Sequence, residues 1–187
     1  MYTNNFYTEG FNSAKATIQE LVDPLDLKTF NTPPKKGSWC AGEVLSHLIK
    51  TGDQYVSVLE SKLLKDTDGL AKGSGPYTHP IHLKWFIKVV SPEFNPKIPT
   101  FPVFEPISIK ELDKQELLKG FNSIQDRFIN VIKTAETENL DLGKVKVGNP
   151  VFPILKMSIS SCLAINEAHQ RRHFEQIKRA IAAQRAN

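Results

Sequence analysis

The amino-acid sequence predicts an all-α protein, a four-helix bundle that occupies residues 1–187 as a single domain. Apolar residues recur at spacings of three and four in four separate stretches, which is the period of an amphipathic helix. The 12 prolines all lie outside these stretches. Hydrophobic residues make up 40% and charged residues 24% of the chain, a composition typical of globular proteins, and the length suits one core.

The first predicted helix runs from about Thr8 to Val22 and ends before Pro24. Its apolar stripe consists of Phe11, Ala14, Ile18 and Leu21. A link that contains prolines and glycine separates this helix from the next one.

The second predicted helix extends from about Cys40 to Leu64. The helix has two alternative starts, because Cys40 and Glu43 resemble a weak capping box and the Ser38 hydroxyl is an alternative cap. Either start places His47 about two turns into the helix. The apolar face comprises Val44, Leu48, Thr51, Tyr55, Val58 and Leu59.

The segment at about 67–107 is predicted to be a long, partly irregular crossover, because it contains three glycines and seven prolines. Within it, Ile81 to Val90 can form a short helix that prolines bracket on both sides. A loop of this length inside a compact domain is usually functional or packed over an opening.

The third predicted helix opens with a capping box of Ser108 and Glu111 and continues to about Ala135. Glycines and prolines between residues 143 and 153 predict a loop, after which the fourth helix runs from about Leu155 to Gln184. The stripe of the fourth helix is Ile159, Cys162, Asn166, His169, His173, Ile177 and Ala180. Both histidines are therefore in line with core positions.

Charge and cysteine usage limit the classes of partner. The net charge of +4 arises from 24 basic and 20 acidic residues, and it identifies no partner. Basic residues recur every seven along the last helix, which predicts a solvated face without the interleaved aromatics of a nucleic-acid reader. Two distant cysteines, expected to be free thiols, and the lack of a leader or a long apolar run predict a cytoplasmic protein that does not bind a membrane.

His169 and His173 are four residues apart on a predicted helix, so both rings project from one face and can chelate one metal ion. His47, on the buried face of the second helix, is the natural third ligand. A single histidine on an apolar face is more often a hydrogen-bonded core residue. The neighbouring polar positions Glu43 and Asn166 favour a joined site, because scattered polar groups in a bundle core are costly.

Other chemistries are weaker predictions. The residue after His169 is not glutamate, so the zinc-protease motif is absent, and the chain contains no E-x-x-H unit of a di-iron bundle. Cys40, at the positive end of a helix, is a candidate for a thiol of lowered pKa, although capping or packing is the simpler interpretation. His79 and His82 are expected to lie on the surface or on a lid.

Three segments resemble the DinB/YfiT-like family. They are Trp39 ahead of Glu43-Val-Leu-Ser-His47-Leu, the approach Asn149-Pro-Val-Phe-Pro153, and the last helix Asn166-Glu-Ala-His169-Gln-Arg-Arg-His173-Phe-Glu-Gln-Ile177. The resemblance implies an up-down-down-up four-helix bundle in which His47, His169 and His173 bind one divalent metal, often nickel or zinc. It also implies a metal-dependent hydrolase or a thiol transferase. The crossover at 67–107 departs from the family pattern.

Two functions are open at this point. The first is an enzyme whose three-histidine metal site activates water or a thiol for a small-molecule substrate, with Glu43 or a loop group as the proton carrier and Asn166 supporting the ligands. The second is a ligand-binding or stress-response module without catalysis. No nucleic acid and no membrane are expected as partners, and a homodimer is an open alternative.

Overall fold

The structure is a computed structural model that describes residues 1–64, 67–94, 100–107 and 111–185. Its helices are α1 (Asn4–Val22), α2 (Leu27–Asn31), α3 (Ala41–Leu63), α4 (Ile81–Val89), α5 (Lys114–Thr137) and α6 (Ile159–Arg185). A 3-10 turn spans Pro102–Phe104, and a short hairpin consists of β1 (Lys146–Gly148) and β2 (Lys156–Ser158).

The four long helices form the predicted bundle. Helix α1 packs on α5 and α6, and α3 packs on the same two helices, so the order around the core is α1, α5, α3, α6. Close approach of α3 and α5 depends on Gly52, because a Cβ there would lie 2.5 Å from Cγ2 of Ile124. The predicted core positions Leu48 and Phe128 are buried.

Helix starts follow from local capping. The Thr3 hydroxyl accepts the Phe6 N–H, so α1 begins four residues before the predicted start. At α3, the capping box of Cys40 and Glu43 is the alternative that forms. Cys40 Sγ accepts the Glu43 N–H at 3.4 Å, and Glu43 Oε2 accepts the Cys40 N–H at 2.8 Å.

The predicted capping box at the third long helix is wrong. Helix α5 begins at Lys114, and the Asp113 carboxylate accepts the Glu116 N–H. The reason is tertiary, since the Asn31 amide bonds both the N–H and the carbonyl of buried Leu112 and so holds the chain outside a helix. Ser108 lies outside the described residues.

The hairpin and α2 were not predicted. Residues 156–158 form β2 and pair antiparallel with β1, with Val147 opposite Met157, so α6 begins at Ile159 and not at Leu155. The Ser158 hydroxyl accepts the Ser161 N–H at the start of α6. Helix α2 is too short to show a periodic pattern in the sequence. Its N-cap is Asp26, whose carboxylate accepts the Thr29 N–H.

The crossover packs along α3 and α6. Short helix α4 is confirmed, and its apolar face packs on α6. Arg171 and Arg172 of α6 are half-buried. Arg171 donates to the Glu93 carboxylate, and Arg172 donates to the carbonyls of Val89 and Phe94. This part of the basic face, which was predicted to be solvated, therefore attaches the crossover to α6.

The basic face is exposed only further along α6, at Lys178 and Arg179, and the side chain of Arg185 lies outside the described residues. No helix in the described ranges has the length and apolarity needed to cross a bilayer.

Two apolar clusters fill the bundle. The first includes the stacked rings of Phe11 and Phe128, whose centroids are 4.7 Å apart. The second includes Phe121 and Phe174, in edge contact at 6.1 Å. On α6, the buried polar residues Gln170 and His173 lie between the last residue of the first cluster, Ala168, and the first α6 residue of the second, Phe174.

Candidate metal centre

Three histidines from two helices converge in the bundle. His169 Nε2 lies 3.4 Å from His47 Nε2 and 3.0 Å from His173 Nε2. His47 and His173 are 4% and 7% exposed, and His169 is partly exposed. We call these three residues the histidine triad. In the described part of the chain, they form the group of His, Cys, Asp and Glu side chains that could hold a metal ion.

Two of the rings are anchored through their second nitrogen. His47 Nδ1 lies 2.6 Å from the carbonyl oxygen of Phe104, in the crossover, and His173 Nδ1 lies 2.8 Å from Gln176 Oε1. Because a carbonyl only accepts, each Nδ1 carries the proton and donates it. Each Nε2 therefore presents a lone pair toward the centre of the triad.

The triad is held neutral. Burial lowers the pKa of His47, and Lys50 lowers it further. Burial and the charges of His47 and Arg172 lower the pKa of His169 to about 3. Burial and repulsion from the other two rings lower the pKa of His173 well below its ordinary value. At neutral pH all three rings are therefore neutral, with one N–H each, which is the form that binds a metal.

The donor set fits a divalent metal. The Nε2 lone pairs of His47 and His173 lie 3.4 and 3.0 Å from His169 Nε2, and either a proton on His169 Nε2 or a cation between the rings satisfies them. Two nitrogens bound tetrahedrally to one ion at about 2.1 Å lie roughly 3.4 Å apart. Imidazole nitrogens suit zinc, nickel, copper and iron.

Trp39 forms one wall of the site. Its ring centroid lies 5.0 Å from that of His47 and 6.4 Å from that of His173. Residues 104–107 of the crossover also contact α3 beside His47. The Ser46 hydroxyl accepts the Ile107 N–H, and the Lys50 ammonium donates to the Glu105 carbonyl. These contacts limit the access of water to His47.

Glu43 and Asn166, which were predicted to support the metal ligands, lie in different surroundings. The Glu43 carboxylate bonds the Cys40 N–H, so the structure brings it to the helix cap and not to an imidazole. Asn166 is buried, donates to the Cys162 carbonyl at 2.9 Å, and lines a small cavity together with His169.

Two predictions for other residues need correction. Burial raises the pKa of the Cys40 thiol to about 11, so the lowered pKa is wrong and capping is its role. His79 is not on the surface but 4% exposed, with Nδ1 2.9 Å from Ser161 Oγ, which lies 2.7 Å from Ser158 Oγ. We call these three residues the His79 cluster. His82 is exposed, as predicted.

Sequence reasoning did not find three residues around the triad. Gln176 follows His173 by three positions, a spacing that places both side chains on one helix face. Gln125 and Gln170 are buried, and both line the cavity beside His169. A signal existed for Gln125, because a polar residue within the apolar stripe of α5 is unusual. The role of the Phe104 carbonyl has no sequence signature.

The fold and the triad define the class, a helical bundle with a three-histidine centre that could hold a metal ion. The sequence profile of the DinB superfamily matches residues 11–177, and the chain belongs to that superfamily. Its structure is similar to YfiT from Bacillus subtilis, described as a probable metal-dependent hydrolase with an unusual four-helix bundle topology. The TM-score is 0.59 at 14% identity, over 98% of this chain and 87% of that chain. The predicted bundle and family are thus confirmed. Among curated proteins, none matches the sequence.

Proposed function

We propose that the protein is a metal-dependent hydrolase in which His47, His169 and His173 hold one divalent cation, nickel or zinc, and act on a small molecule. The observation that carries the proposal is that three neutral imidazole rings converge through their Nε2 atoms. Two of these rings are oriented by a hydrogen bond at Nδ1. The description of YfiT as a probable metal-dependent hydrolase supports the same reaction class.

Three protein ligands favour catalysis over a purely structural role, because structural sites usually have four protein ligands and catalytic ones keep a position open. A cation held there would supply Lewis acidity and would activate water or a thiol near neutral pH. The chain's own residues would hold the rings in one tautomer, through Phe104 and Gln176. Trp39 and the crossover would shield His47 from bulk water.

The proton carrier is proposed to be a group of the crossover. Glu43 was the other candidate from the sequence, but its carboxylate is already engaged with the Cys40 N–H. A Glu43→Gln variant keeps an oxygen acceptor for the cap, so we expect it to keep most of the activity. Loss of activity in a folded Glu43→Gln variant would return the role to Glu43.

The reaction class is tested with zinc- and nickel-loaded protein made without an affinity tag. We expect hydrolysis of a nitrophenyl ester, absent in the His169→Ala, His173→Ala variant. Thiol transfer, the alternative from the family resemblance, would instead appear as coupling of a small thiol to monobromobimane above the uncatalysed rate. If metal-loaded protein does neither but binds small ligands, the non-catalytic module is correct.

We also propose a cytoplasmic location. Cys40 and Cys162 are buried free thiols, which is the usual state of cysteines in a reducing compartment. Cell fractionation with an antibody to the protein tests this proposal, and recovery in the secreted fraction would contradict it.

A further inference from the structure

A cavity of about 10 Å³ lies in the bundle core beside His169. Its polar lining consists of His169 and the amides of Gln125, Asn166 and Gln170, and the rest of its wall is apolar. One water molecule needs a volume of about 10–15 Å³ and two to four polar partners. The cavity therefore has the size and lining of a site for a single water.

Two of the lining amides have unused hydrogen-bonding atoms. Gln125 and Gln170 are 2% and 5% exposed, and Gln125 Oε1 and Gln170 Nε2 have no partner among the described residues. One of these atoms is an acceptor and the other is a donor. Buried polar atoms are nearly always satisfied by protein or by ordered water, and a water can bond both kinds.

His169 differs from the other two members of the triad in its second nitrogen. His47 Nδ1 and His173 Nδ1 donate to Phe104 and Gln176, whereas His169 Nδ1 has no protein partner in the part of the chain that the structure describes. A histidine that binds a metal almost always donates its other N–H to a fixed acceptor, which sets the ring orientation. The third ring therefore lacks that support from the described residues.

We infer that one buried water, held by the amides of Gln125 and Gln170, accepts the Nδ1–H of His169 and orients this ring as the third metal ligand. The inference rests on the proposed function, since it assigns these glutamines to the same metal site. Gln125 and Gln170 are positioning residues, because they act through the water and the ring. Gln125 would thus link α5, which carries no member of the triad, to the metal site.

The test compares near-isosteric apolar replacements. Gln125→Met and Gln170→Met remove the amides with little change in side-chain length, and we expect each to weaken zinc binding by about tenfold or more. The double variant should lose little more than the weaker-binding single variant, because either change disrupts the same water. Zinc affinity is measured by competition with a chromogenic chelator.

Asn122→Leu is the matched control. Asn122 is also on α5 and also has a side-chain oxygen without a partner among the described residues, but it does not line the cavity. Its replacement should leave zinc affinity unchanged. If the glutamines have only a structural role, their replacement should alter the melting temperature of the metal-free protein and leave zinc affinity unchanged. This is the result expected for Asn122→Leu.

The outcomes separate the inference from the proposed function. Wild-type protein that fails to bind zinc and nickel overturns both. Wild-type zinc affinity in either folded methionine variant overturns the inference but not the proposed function. The same follows if the losses of zinc-binding free energy in the two single variants add fully in the double variant. If Gln125→Met does not fold, wild-type affinity in Gln170→Met still overturns the inference.

Discussion

The histidine triad and the His79 cluster both involve α6, and they differ in what their histidine ring nitrogens face. In the histidine triad, three Nε2 atoms face one another across 3.0 and 3.4 Å. In the His79 cluster, one ring bonds a serine hydroxyl through Nδ1, its Nε2 has no partner among the described residues, and the ring of Tyr2 lies against it. Burial lowers the pKa of the histidines in both groups.

The comparison shows that burial and a lowered pKa do not by themselves make a metal site. Convergence of several ring nitrogens is the additional requirement, and the triad has it while the His79 cluster does not. The serines of the His79 cluster are almost completely buried, which fits a role in attaching the crossover to the start of α6. The two groups can therefore be separated by experiment.

The largest expected effect is loss of metal binding when the triad is broken. His47→Ala, His169→Ala and His173→Ala should each weaken zinc binding by about a hundredfold or more, since a bidentate site remains. His79→Ala and His82→Ala should leave zinc affinity within about threefold of wild type. Isothermal titration with zinc measures both sets. Similar losses for His79→Ala would abolish the distinction between the two groups.

The next effect concerns the core around the triad. Leu48→Asp and Phe128→Asp each put an unpaired charge among apolar side chains, so we expect a loss of about 3 to 5 kcal/mol in the free energy of unfolding. Both residues are less than a tenth exposed, at 5% and 1%. Urea denaturation measures the loss. Wild-type stability of both variants would show that the two apolar clusters are assigned wrongly.

Acid should destabilise the metal-free protein through both groups, but mainly through the triad. The folded-state pKa of His169 is about 3, below its ordinary value of 6.5, so the unfolded chain binds more protons between these values. Stability is therefore full above about pH 6.5 and falls as the pH decreases toward 3. Urea denaturation between pH 7.5 and 4.5 should show this fall.

The control for acid destabilisation uses the same two groups. The fall should be much smaller in the His169→Ala, His173→Ala variant, because two of the four histidines with a lowered pKa are gone. His79→Ala should reduce it only slightly, since it removes one group. A greater reduction in His79→Ala than in the double variant would reverse the comparison.

The smallest expected effect comes from the hydroxyl of the His79 cluster. Ser161→Ala leaves the buried His79 Nδ1 without its partner, so we expect a loss of about 1 to 3 kcal/mol in stability. Zinc affinity should not change, because this cluster contributes one imidazole and no second nitrogen ligand. Thermal melting together with zinc titration checks both statements, and altered zinc affinity would show that the two groups are coupled.

Much of the bundle is predictable from the sequence because its long helices have clear apolar stripes and local caps. The triad is predictable for a related reason, since His169 and His173 share one face of α6 and His47 lies on the buried face of α3. Both predictions use information that is local in the chain.

The features that sequence reasoning missed depend on contacts between distant segments. The start of α5 is set by Asn31, which bonds Leu112 from far away in the chain. The burial of His79 depends on Ser161, and the tautomer of His47 depends on the Phe104 carbonyl. None of these pairs has a spacing or a motif that could reveal it.

The central claim is that the triad holds one divalent metal, and metal content tests it most directly. Untagged protein, purified without added metal, is analysed by inductively coupled plasma mass spectrometry beside its His169→Ala, His173→Ala variant. The claim predicts close to one nickel or zinc per wild-type chain and almost none in the variant. Stoichiometric metal in the variant, or none in wild-type protein even after incubation with zinc and nickel, would contradict it.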